Sequence, residues 1–499
     1  FGVVSCVNYP RGYFNSFGAL AANNDLDAII HLGDYIYEYE EGGYAFNENV
    51  NRPLEPEGEI LSIADYRIRY SLYRLDPDLM RAHQIYPFVA VWDDHETADN
   101  AYKDGAFNHT EGAEGAWVDR KNAGIKAYGE WLPIRVENPA KPEIIHRKFN
   151  YGKLMDLIMM DTRLEGRDKQ AAMVSATAGP TQEYFDSTRT LVGQEQYDWL
   201  TQSLVESKAQ WKVIGNQVMV SPLRAANSVP VNLDQWDGYP GDQTKFFNFL
   251  RTNDVKDFVV LTGDIHSSWG IDIAQNPLLV TEYNPLTGAG SLGVEFVCPG
   301  VSSPPFGSSF EATGTGMEPA ALIQVIKSNN PHMKYIDVTG NGYLVLDVTP
   351  EKTQSDWYFN GVEIRNDTAQ FAQGWFTNAG ESHLQQASAP VALRTGIPEA
   401  PKAPIVTTGV QQKAEGSVLL GAYPNPFENE LQIHYGVTSQ QDVSISILNI
   451  LGETVMILKE GQQAAGIYQL TANTAALAKG VYFISVKTAN ANKVLRMVK

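Results

Sequence analysis

Six short apolar runs punctuate roughly the first half of the chain, "VVSCV", "DAIIHLGD", "FVAVWDD", "KLMDLIMMDTR", "WKVIGNQVMV" and "DFVVLTGD". They scarcely alternate between apolar and polar residues, which is the pattern of strands buried on both faces. Between them, residues 64–73, 117–131, 194–205 and 244–250 repeat apolar positions at helical spacing. This rhythm predicts an α/β fold built from βα units, with ligands held beyond the carboxyl ends of the strands. Residues 396–418 are rich in Pro, Gly, Thr and Ala and read as a linker. Beyond them, "ELQIHYGV", "DVSISILNILGE", "GIYQLTA", "GVYFISVKT" and "KVLRMVK" predict a small all-β sandwich of immunoglobulin-like type. The expected organisation is therefore residues 1–395, a linker, and a module over residues 419–499.

Composition narrows the function classes. The chain has 499 residues, 43% of them hydrophobic and 11% aromatic, enough for a large core. Thirty-eight Lys and Arg face 58 Asp and Glu, a formal net charge of −20, which argues against specific nucleic-acid binding and suits bound cations. No apolar run is long enough to cross a bilayer as a helix. The opening "FGVVSCVNYP" reads as a strand, so any export signal is expected to have been removed or to lie outside this numbering. The two cysteines, Cys6 and Cys298, are either one disulfide or small buried side chains, unless one of them is a metal ligand.

The polar residues at the strand ends carry the chemistry. Cys6 follows the first strand, Asp34 and Tyr37 the second, Asp93, Asp94 and His95 the third, and Asp264 and His266 lie in "LTGDIHSSW". Singly, each has an ordinary reading as a turn cap, a solvated charge or a core histidine. Together they would concentrate polar groups at one edge at a cost of several kcal/mol unless cations neutralise them.

The stretches "SCVNYPRGYFNS", "DAIIHLGDYIYEY", "ADYRIRYSLYRLDPDLMRAHQIYPFVAVWDDHETADN", "DTR", "QWDGYP" and "LTGDIHSSW" resemble, in order, the alkaline phosphatase D (PhoD-like) branch of the metallophosphoesterases. The resemblance implies a metallophosphoesterase-type β-sandwich core flanked by helices. Asp94 stands where that superfamily has the Asn of its GNH motif, and Asp264 replaces the first His of GHxH. Ser5 and Cys6 stand where the first-strand DxH is usual. Asp34, Tyr37, Cys6 and His266 form a mixed donor set for a transition metal, for which the resemblance implies Fe³⁺, and Zn²⁺ or another divalent ion is the alternative. Asp34 with Asp94, Asn216 and Asp264 forms an all-oxygen set suited to Ca²⁺. The resemblance suggests a further Ca²⁺ at Asp93. Asn216 could equally cap a turn. His95 is expected to donate to the phosphoryl oxygens, and Arg163 to clamp a phosphate unless it is a surface ion pair.

Other signals are discounted. "GAGSLG" over residues 288–293 matches a dinucleotide-loop spelling but follows no strand and opens no helix. His31 is expected in the core or behind a metal ligand, His109 in a loop, and Cys298 as a free thiol if Cys6 binds metal. The C-terminal "AYPNPFENELQIHY" and "LAKGVYFISVKTANANKVLRMVK" resemble the sorting domain of type IX secretion substrates. That resemblance implies the type IX secretion machinery as a partner and a secreted or cell-surface location; an adhesive or carbohydrate-binding module is the alternative. The expected function is hydrolysis of phosphate monoesters or diesters by a hydroxide held on two cations. A phosphodiesterase or phospholipase D-like enzyme is the near alternative, and a catalytically inactive surface binding protein the distant one.

Overall fold

The computed structural model describes residues 1–50, 52–132, 134–136, 138–175, 178–308, 317–397, 420–437, 440–488 and 492–499. The chain divides into two units, Phe1–Pro401 and Lys402–Lys499. From residue 398 onward, the linker expected at 396–418 lies outside the described residues.

In the first unit the strands are β1 (Gly2–Val4), β2 (Ile29–His31), β3 (Phe88–Ala90), β4 (Arg147–Tyr151), β5 (Met155–Met159), β6 (Met173–Ser175), β7 (Gly179–Pro180) and β8 (Trp211–Gly215). They continue as β9 (Phe258–Thr262), β10 (Ser268–Asp272), β11 (Val294–Val297), β12 (Met333–Asp337), β13 (Gly342–Val348), β14 (Lys352–Phe359), β15 (Gln370–Asn378) and β16 (Gln385–Ala387). One seven-stranded sheet runs β16-β15-β14-β13-β1-β2-β3 and the other β12-β10-β11-β9-β8-β5-β4. Each has a parallel centre, β1-β2-β3 in the first and β5-β8-β9-β11 in the second, with antiparallel strands beside it. The expected βα rhythm accounts for the parallel centres. It misses the antiparallel run β13 to β16, whose strand β15 is partly exposed and whose links contain no helix.

The non-alternating runs are buried throughout in β1, β2, β5 and β9. Val3, Val4, Ile30 and Leu344 of the first sheet share one core with Leu157, Val213, Val259 and Leu261 of the second. Ile158, Ile214 and Val260 point the other way, onto helices α5 and α6 described below. Both faces of the second sheet are thus apolar, which is why its strands do not alternate.

The helices are α1 (Asn15–Ala22), α2 (Ile63–Arg74), α3 (Pro77–Ile85), α4 (Trp117–Trp131), α5 (Gly193–Glu206), α6 (Pro240–Thr252) and α7 (Pro319–Asn329). Four correspond to the expected ones, and α1, α3 and α7 were not expected. Ser62 and Asp65 close a reciprocal cap at the start of α2, and Asp76 caps α3 ahead of Pro77. The second unit is all-β: β17 (Leu420–Tyr423), β18 (Glu430–Val437), β19 (Gln441–Leu448), β20 (Thr454–Gln463), β21 (Gly466–Asn473), β22 (Val481–Thr488) and β23 (Asn492–Val498). Its sheets, β17-β18-β21 and β20-β19-β22-β23, share a core that includes Ile433, Ile445 and Ile484. No helix among the described residues is long and apolar enough to cross a membrane.

Candidate metal centre

The carboxyl ends of the two parallel centres deliver every candidate residue. Cys6 follows β1, Asp34 follows β2, and Asp93, Asp94 and His95 follow β3; Asn216 follows β8, and Asp264 and His266 follow β9. A parallel bridge between Ser5 and Gly300 ties the first sheet to the stretch after β11. Gly263, beside Asp264, passes so close that a Cβ there would lie 2.8 Å from Ser5 Cβ.

Three overlapping groups result, Cys6–Asp34–His266, Asp34–Asp94–His95 and Asp93–Asp94–Asp264, each with its ligand atoms within 4.8 Å of one another. Tyr37 joins the first, donating from its hydroxyl to Asp34 Oδ2 at 3.0 Å and lying 3.1 Å from His266 Nε2. Ser303 Oγ donates to the Tyr37 hydroxyl at 2.7 Å. Cys6, Asp34, Asp264 and His266 all hold left-handed backbone, with φ of 59°, 55°, 63° and 51°. Each costs about 1–3 kcal/mol for a non-glycine residue, a strain that collects where side chains must be aimed at a common point.

The donor chemistry fits cations. Asp34 Oδ1 and Asp93 Oδ2 are buried and take no hydrogen bond from any described residue. Burial pushes the Asp34 and Asp93 carboxyls well above their usual range, with neighbouring carboxylates adding to it. Burial likewise raises the Cys6 thiol and the Tyr37 phenol, and Asp34 adds to both. Burial raises Asp264 to about 7 against the pull of Arg163. At Asp94, burial is outweighed by Arg163 and His95, which hold it down to about 2. Burial, reinforced by His95, lowers His266 to about 4, which keeps it neutral and able to ligate. A cation among these groups would relieve the repulsion that resists their ionisation.

Cys6 and Cys298 are both buried free thiols, so the disulfide reading fails. Ser5 Oγ stands between them, 3.1 Å from Cys6 Sγ and 3.3 Å from Cys298 Sγ. Asn216 is buried at the end of β8; its amide Nδ2 donates to the Val218 carbonyl, and its Oδ1 is reached by Trp236 Nε1 at 3.4 Å. It therefore braces a turn, with its oxygen only loosely held. Arg163 is wholly buried, not at the surface. Its Nε donates to Asp93, its Nη1 to Asp234 at 2.7 Å and its Nη2 to Asp264 at 2.9 Å. Each of its three nitrogens thus faces a carboxylate, which makes it first of all the counter-ion of these acids.

Several site residues escaped the sequence reading. The Glu96 carboxylate accepts the backbone N–H groups of Asp34 at 3.1 Å, Tyr35 at 2.6 Å and Asp93 at 2.8 Å, fastening two ligand loops together. Glu38 accepts from His95 Nδ1 at 2.7 Å, and Asp234 completes the shell of Arg163. Both glutamates lie inside motifs already singled out, "DYIYEY" and "DDHET", and burial of an acid beside a ligand loop was the missing signal. His31 is buried against Phe17 and Tyr35, as expected of a core residue. The side chain of His109 is buried beside Trp117.

Residues 1–357 match the model of the PhoD-like phosphatase family, and residues 421–499 match that of the secretion system C-terminal sorting domain, which marks the chain for export. The chain is 34% identical over 361 residues to alkaline phosphatase D of Bacillus subtilis, an alignment covering 72% of this chain and 58% of that protein. A solved structure described as the structure of PhoD superposes with a TM-score of 0.66 at 28% identity, covering 80% of this chain and 72% of its own. With two sheets that converge on these acids and a family match over most of its length, the chain belongs to the PhoD-like phosphatases.

Proposed function

We propose that this protein is an exported, metal-dependent phosphoesterase that hydrolyses phosphate monoesters, diesters or both. The observation that carries the reading is the sharing of Asp34 and Asp94 among three ligand groups each within 4.8 Å, since a shared carboxylate can bridge two cations. In this reading Cys6, Asp34, Tyr37 and His266 hold Fe³⁺, with Zn²⁺ the alternative. Asp34, Asp94, Asn216 and Asp264 hold Ca²⁺, and Asp93 holds a further one. Such cations, when bound, withdraw charge from phosphate oxygens and make a water acidic enough to attack phosphorus.

The chain's own groups do the rest. Glu38, Asp94 and Asp34 together outweigh burial and raise His95 well above the ordinary histidine range. His95 therefore stands as a cationic donor beside Asp34 and Asp94, placed to meet charge that gathers on the phosphoryl oxygens. Arg163 neutralises the acids behind them and holds Asp93 and Asp264 in place. The two sheets form the metallophosphoesterase sandwich and the C-terminal unit an immunoglobulin-like one, with boundaries at residues 395 and 419. That unit engages the type IX secretion machinery and delivers the protein to the cell surface or medium.

Elemental analysis of purified protein, paired with hydrolysis of p-nitrophenyl phosphate and its bis ester, tests this reading. At least two metal ions per chain and turnover are expected, with the Asp34→Asn variant folded and inactive. Protein with neither metal nor turnover would be a surface binding protein, and turnover in Asp34→Asn would end the bridging role. Preference for the bis ester would identify a phosphodiesterase.

A further inference from the structure

Glu38 follows Tyr37 and is completely buried, yet it belongs to none of the ligand groups. Its Oε2 takes the Nδ1 proton of His95 at 2.7 Å. Its Oε1 takes the Asp99 backbone N–H at 2.8 Å and Asn108 Nδ2 at 2.9 Å. The carboxylate is therefore held from one side and holds the imidazole from the other. Rings fix the same imidazole in a second direction: Tyr37 lies 4.2 Å away, and Tyr44 stacks at 6.3 Å with its plane tilted by 15°. With Nδ1–H committed to Glu38, the ring plane is set, and Nε2 is the nitrogen left to work.

We propose that Glu38 is the positioning residue of the reaction. It orients His95 so that Nε2 faces the phosphoryl group, and Asn108 and the Asp99 amide keep Glu38 in register. The inference rests on the phosphoesterase reading. Glu38 is itself a member of none of the ligand groups and meets them through His95, so its effect should pass through that side chain.

Steady-state kinetics of the metal-loaded full chain on p-nitrophenyl phosphate, for wild type, Glu38→Ala, His95→Ala and the double variant, tests it. Glu38→Ala should lower kcat by about 10- to 100-fold, the usual effect of losing a residue that orients a working histidine, with KM within about threefold. The double variant should be no slower than His95→Ala alone within about threefold, because the two side chains act as one unit. Should Glu38→Ala not fold, Glu38→Gln, which keeps the volume and one acceptor, should show a smaller loss of the same kind at unchanged metal content. The inference is overturned if kcat is untouched, if the loss lies in KM, if the two losses multiply, or if bound metal falls in step with rate. Wild type without turnover on any ester would remove the phosphoesterase reading and this inference with it, whereas wild-type turnover that Glu38→Ala leaves intact removes this inference alone.

Discussion

Gly33 is where the fold and the metal centre are most tightly coupled. It precedes Asp34 with φ of 111°, and a Cβ built on it would lie 2.4 Å from Asp93 Cβ and 2.6 Å from the Asp93 nitrogen. Gly33→Ala therefore adds two costs. Backbone in that region costs about 1–3 kcal/mol for any residue with a side chain. Forcing a methyl into a filled space costs about 1–3 kcal/mol more, and here the obstacle is backbone that cannot rotate away. The sum, about 2–6 kcal/mol, is a large part of the roughly 5–15 kcal/mol that holds a domain together. Gly152 supplies the control: its φ is 64° and a Cβ there meets nothing within 4 Å, so Gly152→Ala suffers backbone strain alone. Guanidinium unfolding followed by the fluorescence of the nine tryptophans, buried Trp92 beside Asp93 among them, reads both variants. Gly33→Ala should be less stable than Gly152→Ala by about 1–3 kcal/mol, the steric share, and should also bind less metal because Asp34 and Asp93 are pushed apart. Equal destabilisation of the two variants, or full metal content in Gly33→Ala, would refute the claim that this contact sets the spacing of the ligand loops.

Two further outcomes follow from particular residues. If Tyr37 ligates ferric iron, the purified protein should carry a visible charge-transfer band that Tyr37→Phe removes while calcium content stays constant; a band that survives the substitution excludes the phenolate. His332, outside the candidate metal groups, donates from Nε2 to the Pro222 carbonyl at 2.9 Å, and burial lowers its pKa from 6.5 to about 3. Its neutral form is the one the fold accommodates, so its contribution is complete above about pH 6.5 and is lost as pH falls. Between about pH 6.5 and 5 that loss is about 2 kcal/mol at 1.36 kcal/mol per unit, and His332→Gln, which can still donate to Pro222, should flatten this limb of the stability curve. Parallel curves for the two proteins would show that His332 does not titrate in this window.

What the sequence disclosed and what it hid divide along a physical line. Strands buried on both faces leave a local record, an apolar run that does not alternate, and a carboxylate or thiol just past its end stands out against it. That is why Cys6, Asp34, Asp94 and Asp264 could be named from the chain alone. Helix α4 was legible to the residue because Trp117 and Trp131 bracket an amphipathic repeat. Helix α1 was not, since "NSFGALAA" has no capping side chain and is mostly small residues. In the second unit β17 and β20 were passed over; β20 exposes most of its residues and so carries little apolar signal. Glu38, Glu96 and Asp234 were illegible for a different reason. An acidic side chain shows its type in the sequence but not its partner: His95 lies 57 residues from Glu38, the Asp34 amide 62 from Glu96, whose partner Asp93 is only three away, and Arg163 71 from Asp234.

The arrangement around Arg163 shows why the protein's own groups do not complete the site. One guanidinium serves Asp93, Asp234 and Asp264 and lies 3.5 Å from Asp94, while Asp34 next to them has no basic side chain paired with it among the described residues. More hydrogen bonds from the protein could have satisfied Asp34 Oδ1 and Asp93 Oδ2, but a donor on those oxygens would compete with a cation for the same lone pairs. Leaving them bare costs stability in the isolated chain and preserves them for ligation. Because the carboxylates come from both sheets, a cation that gathers them also fastens one sheet to the other. Metal binding should therefore stabilise the first unit as a whole, in proportion to the logarithm of free metal concentration above its dissociation constant.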